Sequence, residues 1–307
     1  MRRTDMIDAL TNAGFPALTQ DLPASQRLFA DGRAWRIEIP SCEGPTVMEA
    51  VLEAADELDV PVDRVSQGSG VMMLRDAEIR DMVQLGADRG IEVNLFLGPR
   101  AAWDIGGQAK VTAAVGGAAR GNEAVAASLA EAHRAVDLGV RSLLVGDLGT
   151  LSVLGEEKRA GRLPDDLVLK TSVLMPLTNG PTAAVYERLG ATSLNVSTDL
   201  TLAHLAEIRQ AASVPIDLYV EAPDDQGGAV RLYDVPVLVR VAAPVYLKLG
   251  LRNAPNIYPS GAHLGTVPAA LGRERVRRAA LMLDLLRRQD PELAHRPVTG
   301  HEAEETT

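Results

Sequence analysis

Two lysines stand where this chain otherwise avoids lysine. Of its 31 lysines and arginines, only Lys110, Lys158, Lys170 and Lys248 are lysine, so arginine is the ordinary cation. Lys170 and Lys248 nevertheless fall inside apolar, strand-like runs at 168–173 and 245–253. A compact ammonium shifts its pKa readily on burial, whereas a guanidinium stays protonated, so two amines placed in strands point to amine chemistry. Three uses are open: a neutral amine as general base, a Schiff base to a carbonyl substrate, or a cation that holds a substrate carboxylate. The competing reading is a buried structural ion-pair network, since such networks perturb titratable groups as well.

The partners such amines need recur at matching depths in other strand-like runs. Glu38 and Glu221 are the candidate proton partners and Asn195 the oxygen-binding donor, while Arg252 and Arg100 are candidate clamps for an anionic substrate, because guanidinium matches carboxylate and phosphate geometry. Ser197, Asn94, Tyr219 and Tyr246 complete the polar set that would meet a substrate. Glu38, Asp147 and Glu221 are oxygen ligands that suit Mg²⁺ or Mn²⁺, although no diagnostic spacing marks a metal site. Gly227-Gly228 and the 260–265 segment fall in loops that bind phosphate in many barrels, and turn formation explains them equally well. Cys42 lacks a partner histidine and reads as a small buried residue.

The elements that would position these groups follow from alternation. In the eighth candidate strand, Val245, Leu247, Leu249 and Leu251 share one face, with Tyr246, Lys248, Gly250 and Arg252 on the other. Open parallel sheets are covered on both faces and read as continuous apolar runs, so a polar second face calls for a closed barrel with a lumen. Further candidates lie at 35–39, 63–67, 91–97, 142–147, 168–173, 193–197 and 216–221, with the run at 63–67 the least regular. Helical stretches at 46–58, 76–90, 122–139, 180–190, 201–212 and 267–288 alternate with them, and the expected fold class is α/β, a single (β/α)8 TIM-like barrel. Residues 33–289 form that barrel. Residues 1–32 form an N-terminal helical extension, with helical pieces at 5–13 and 24–30, that caps the barrel bottom or meets a partner. The long loop at 98–121, containing Trp103, reads either as a lid or as a merely flexible insertion. Residues 290–307 are expected to be a disordered acidic tail.

In such a barrel, residues early in each strand lie at the bottom and those late in each strand at the catalytic end. Arg36, Glu92, Ser193 and Asp217 therefore fall where ion pairing is the expected role, and Glu38, Lys170, Asn195, Glu221 and Lys248 lie nearer the site. A net charge of -10 and a pI near 5.1 argue against a nucleic-acid partner. No apolar run reaches the roughly 20 residues of a membrane span, so no membrane contact and a cytoplasmic location are expected. One cysteine excludes a self-contained iron–sulfur cluster, and no cofactor is firmly predicted. The expected partner is a small anionic substrate, with a homo-oligomer left open.

The runs Leu177-Thr178-Asn179-Gly180-Pro181-Thr182-Ala183-Ala184, Leu189 to Thr201 and Tyr219-Val220-Glu221 resemble peptidase family U32. They are similar to that family's asparagine-led helix, its leucine-glycine strand and turn, and the following strand ending near a glutamate; Asp199 stands where the family favours glutamate. The resemblance implies a TIM-like barrel and a family of collagenase-type peptidases and of proteins that support hydroxylation of RNA or quinone precursors. The cysteines that hold an iron–sulfur cluster in several members are missing from this chain. The leading expectation is thus a lyase- or isomerase-type enzyme using lysine and carboxylate chemistry on a small carboxylate- or carbonyl-bearing substrate. A U32-type peptide or amide hydrolase and a non-catalytic ligand- or partner-binding barrel are the alternatives.

Overall fold

Period-two sequences become strands here because each has a shell of helices to bury one face. The computed structural model describes residues 3–101 and 115–295 of the 307-residue chain. Its strands are Trp35–Pro40 (β1), Val62–Gln67 (β2), Glu92–Phe96 (β3), Ser142–Val145 (β4), Val168–Thr171 (β5), Ser193–Asn195 (β6), Ile216–Glu221 (β7) and Val245–Leu249 (β8). They pair in parallel and in chain order, and β8 returns to β1 to close an eight-stranded barrel. Ile37, Ile39, Val65, Leu95, Leu143, Leu169, Leu194, Leu218 and Leu247 face outward into one continuous apolar core under the helices. The polar residues between them turn into the lumen, as expected for a (β/α)8 barrel.

The helices are Arg3–Asn12 (α1), Pro45–Leu58 (α2), Asp76–Arg89 (α3), Gly121–Asp137 (α4), Leu148–Arg159 (α5), Gly180–Arg188 (α6), Leu202–Ala211 (α7), Val235–Ala242 (α8), Val267–Gln289 (α9) and Pro291–Ala294 (α10). Side chains cap two of the later helices: Asn179 accepts from Thr182 N at 2.9 Å, and Thr201 from His204 N at 3.2 Å. α2 starts at Pro45 with Gly44 ahead of it and has no side-chain cap, so Thr46 and Glu49 form no capping box. Two helices escaped the sequence pattern. α5 is interrupted by glycines, and α8, Val-Pro-Val-Leu-Val-Arg-Val-Ala, has strand-like composition; a proline at its first turn and almost complete burial make it a helix.

The N-terminal segment is less helical than its sequence suggests. After α1 and a short 3₁₀ turn at Leu18–Asp21, residues 22–29 run without helix. Their backbone groups are taken by α8: Ser25 N donates to Arg240 O at 2.8 Å, and the Arg240 guanidinium donates to Thr19 O and Leu22 O, each at 2.6 Å. Phe29 is buried beneath the barrel, edge-on to Tyr246 with ring centroids 5.2 Å apart. At the other end, residues 290–295 fold where a disordered tail was expected: Asp290 caps α10, and Leu293 O accepts from Trp35 Nε1 at 2.8 Å. The rest of that tail, and residues 102–114 with Trp103 of the expected lid or insertion, lie outside the described residues. Among the described residues no helix is long and apolar enough to cross a membrane.

Candidate active site

Strand register assembles the lumen. Parallel partners point to the same side of a sheet, and the pairs Arg64 with Glu92, Glu38 with Arg64, Glu38 with Lys248 and Tyr219 with Lys248 form one chain of neighbouring inward side chains across five strands. At its centre, Arg64 meets Glu38 Oε2 at 3.2 Å, Asp217 Oδ1 at 2.5 Å and Glu92 Oε1 at 2.9 Å. Its guanidinium also lies 3.5 Å from the Tyr246 ring centroid. Ser193 donates to Asp217, Ser142 to Glu92 and Ser66 to Glu38, while Asn94 donates to Ser142 Oγ at 2.7 Å. Arg36 reaches Asp31 at 2.7 Å and Tyr246 Oη at 3.1 Å. The bottom of the lumen is therefore the ion-pair network anticipated for Arg36, Glu92, Ser193 and Asp217.

Glu38 carries the network upward. One carboxylate oxygen bonds Lys170 Nζ, and the other lies 3.5 Å from Lys248 Nζ. Lys170 also lies 3.3 Å from Asp217 Oδ1. Burial alone raises the Glu38 pKa, but Lys170, Lys248 and Arg64 outweigh it and hold the carboxyl well below its ordinary range. Burial draws the Lys170 ammonium down to about 8; Asp217 and Glu38 oppose that shift, while Lys248 and Arg64 add to it.

Only one of the two amines reaches open space. A cavity of about 600 Å³ lies at the C-terminal mouth of the barrel, and Lys248 lines it while Lys170 and Glu38 sit behind its wall. Lys248 is 2% exposed, with Nζ 4.2 Å from the Tyr219 ring centroid. Asn195 stands beside it. In the amide orientation that satisfies both its ends, Asn195 Oδ1 accepts from Lys248 Nζ at 2.9 Å and from Val173 N at 3.1 Å, and Nδ2 donates to Asp217 O at 3.2 Å. Ser41, Phe96, Arg100, Ser172, Tyr258 and Arg275 contribute further wall.

Several anticipated site residues are elsewhere. The β7 register skips Val220, so Glu221 pairs with Leu249 and shares that residue's outward face. Its carboxylate meets Arg278 of α9 at 3.3 Å and Arg252 N at 3.1 Å, not a lumen lysine. Arg252 is 62% exposed, pairs with Asp224 at 3.3 Å and lies outside the cavity lining. Arg100 does line the cavity; its guanidinium lies 4.4 Å from the Phe96 centroid, and burial draws its pKa to about 10. Asn94 and Tyr246 belong to the lower network. Ser197, half-buried beyond β6, donates its backbone N–H to Leu177 O at 3.1 Å and stays out of the cavity wall. The three carboxylates weighed as metal ligands are dispersed, with Asp147 capping α5 at Thr150 N. Among the described residues no cluster of three histidine, cysteine or acidic side chains is placed to hold a metal ion. Cys42 is fully buried, and burial pushes its thiol pKa up, which fits packing and not nucleophilic attack. Neither Gly227 nor Gly228 lines the cavity.

Two central residues were not read from the sequence. Arg64 hides in the irregular second strand, where the β1–β2 register slips between Ile37 and Glu38 and leaves Asp63 outside the pairing. With Asp63 set aside, Arg64, Val65 and Ser66 alternate as the other strands do. Arg275 sits among Arg273, Arg277 and Arg278 on α9, yet it alone falls on the buried stripe of Gly272, Val276, Ala279, Met282, Leu283 and Leu286. An arginine at an apolar-stripe position was the available signal.

Comparison with known proteins follows the fold. No curated protein sequence matches the chain. Similar solved structures include a candidate lyase/mutase from Burkholderia cenocepacia J2315, 14% identical over 91% of each chain with a TM-score of 0.44. A U32 peptidase is 18% identical over 76% of this chain and 98% of its own, with a TM-score of 0.41. Thiamine phosphate pyrophosphorylase from Pyrococcus furiosus is 12% identical over 83% of this chain and 98% of its own, with a TM-score of 0.44. Residues 106–222, which carry the barrel from α4 through β7, match the model of peptidase family U32, and over that segment the chain is a U32-like sequence.

Proposed function

We propose that this protein is an enzyme that acts on a small carboxylate- or carbonyl-bearing substrate through Lys248, by lyase- or isomerase-type chemistry. The observation that carries this reading is that Lys248, of the two lumen amines, lines the cavity, while Lys170 lies wholly behind it. A neutral Lys248 amine adds to a substrate carbonyl and loses water to give an iminium, which withdraws electrons from the adjacent carbon. A neutral amine in the same place can instead take a proton from that carbon.

Glu38 has a different part from the proton partner expected of it. A carboxyl held far below its ordinary range by three cations is a poor proton acceptor. It serves as the fixed anion beside Lys248, stabilising an iminium or ammonium there, and Lys170 keeps it ionised and in place. Asn195, expected as a donor to a substrate oxygen, turns its Oδ1 to Lys248 and orients that amine instead.

Borohydride reduction in a mixture of 2-oxo acids, followed by intact-mass and peptide analysis, tests the reading. A reduced adduct on Lys248 that is missing in Lys248→Ala is expected; an adduct confined to Lys170, or turnover reduced less than tenfold by Lys248→Ala, would sink it. A second reading, hydrolysis of a peptide or amide bond, is favoured by the U32 match at residues 106–222. Proteolysis by the purified chain that Lys248→Ala abolishes, with no trapped adduct, would establish it in place of the first.

A further inference from the structure

Arg275 is the cavity residue that Lys248 chemistry leaves unused. It is 5% exposed, lies on the buried stripe of α9 and lines the cavity with Tyr219, Lys248 and Tyr258. Its Nε and Nη1 have no hydrogen-bond partner, and among the described residues no carboxylate comes within ion-pair reach of it. Glu43, the nearby acid that feels its charge, spends its two oxygens on Gly68 N at 2.7 Å and Ser69 N at 2.9 Å. Arg64 has three carboxylates. Arg209 also leaves Nε and Nη1 without a hydrogen-bond partner, but its Nη2 donates to the carbonyls of Ala212 and Val214 and it lies away from the cavity, whereas Arg275 lines it.

A guanidinium cannot discharge itself, so burying one without a counter-charge is strongly unfavourable. That cost is offset when an anion enters. Positive charge also dominates the inner wall, where Lys248, Arg100 and Arg275 face the cavity. The acids at its rim are Asp224, bound to Arg252 and to Asn253 N, and the exposed Asp225.

We propose that Arg275 is the anion anchor of the cavity and binds a carboxylate of a small organic acid, so that the rest of the acid faces Lys248. Arg275 takes the role that the sequence suggested for Arg252. The choice of a carbonyl-bearing acid rests on the Lys248 reading; the anion site itself does not.

Calorimetric titration of the purified full chain with oxalate, in the wild type, Arg275→Gln and Arg275→Lys, tests the proposal, with inorganic phosphate titrated in parallel. Oxalate is expected to bind the wild type, to weaken at least about tenfold in Arg275→Gln and to be partly retained in Arg275→Lys. The unfolding midpoint of ligand-free Arg275→Gln is expected to stay level or rise, because an uncompensated buried charge has been removed. A structural arginine would behave in the opposite way. A lowered midpoint with oxalate binding intact, no oxalate binding by the wild type, or phosphate binding tighter than oxalate would each overturn the proposal. Borohydride trapping separates it from the Lys248 reading: an adduct that forms on Lys248 with the same 2-oxo-acid dependence in Arg275→Gln removes the anchor alone. Loss of oxalate binding in Arg275→Gln, with no adduct in any variant, keeps the anchor and removes the carbonyl chemistry.

Discussion

The lower and upper halves of one lumen solve opposite problems. Below, the charges of Arg36, Arg64 and Lys170 meet Asp31, Glu38, Glu92 and Asp217 at ion-pair distances. Above, Lys248 has Glu38 on one side and open cavity on the other, and Arg275 has no carboxylate within ion-pair reach among the described residues. Closed networks add rigidity, and cations that face a cavity suit an anionic ligand; the same eight strands carry both because depth along a barrel strand separates them. Glu38 joins the halves, with one oxygen turned to each lysine.

Breaking the lower half should have the largest effect. Arg64→Leu strands three carboxylates around a buried space, and removing one partner of a buried pair typically costs about 3–5 kcal/mol. The expected result is an unfolding free energy lowered by that amount, read from a lower urea midpoint at an unchanged slope. Arg64→Leu combined with Asp217→Asn should recover part of the loss, since it removes the carboxylate that Arg64 approaches most closely. Full additivity of the two changes would show that the network does not act as a unit.

A smaller effect marks the junction. The native Lys170 ammonium gives up its proton near 8, whereas the unfolded lysine keeps it to 10.5. Between those values the unfolded chain binds more protons, so stability rises with pH, with a limiting slope of about 1.4 kcal/mol per pH unit. Cys42 opposes this climb above the ordinary thiol value of 9.0, and the tyrosines reverse it above 10.0. Burial keeps Cys42, Tyr219, Tyr246 and Tyr258 protonated in the native state, so the unfolded chain loses those protons first. Urea midpoints collected upward from pH 8 should therefore climb and then fall in the wild type, and Lys170→Met should lack the climb. An equal climb in Lys170→Met would assign it to another group.

The barrel itself was legible because alternation needs only a local pattern, as in Val245 to Lys248 of β8. The lower network was legible in part: Arg36, Glu92, Ser193 and Asp217 fell at the bottom because position along a strand sets depth. Arg64 was lost because the slip at Asp63 breaks the period. Glu221 was misassigned for a related reason, since the register shift after Tyr219 exchanges inside for outside and no residue type announces it. α8 was missed because Val-rich composition favours a strand until burial on all sides makes a helix acceptable. Arg275 needed the helix stripe, and Arg252 attracted attention by lying in line with Lys248 in β8, although the chain leaves the barrel wall after Leu249.

The smallest effect offers the sharpest contrast at the mouth. Arg252 and Arg275 both lie near the barrel mouth, one largely exposed and paired with an exposed aspartate, the other buried and, among the described residues, without a carboxylate in ion-pair reach. An exposed ion pair contributes roughly 0–1 kcal/mol and is screened by salt. Arg252→Ala should therefore leave the unfolding midpoint and the affinity for oxalate within about twofold of the wild type. Glu221→Gln belongs with it: the change removes a charge that meets Arg278 on the outer face, so it should lower stability modestly while leaving trapping at Lys248 unchanged. An exposed cation at a rim, however, speeds the approach of anions to a cavity mouth without changing how firmly they are held. Oxalate association measured across a salt series should then slow in Arg252→Ala at low salt and converge with the wild type at high salt, with dissociation unaltered. A faster dissociation rate in Arg252→Ala would move the anchor outward to the rim and erase the contrast between the two arginines.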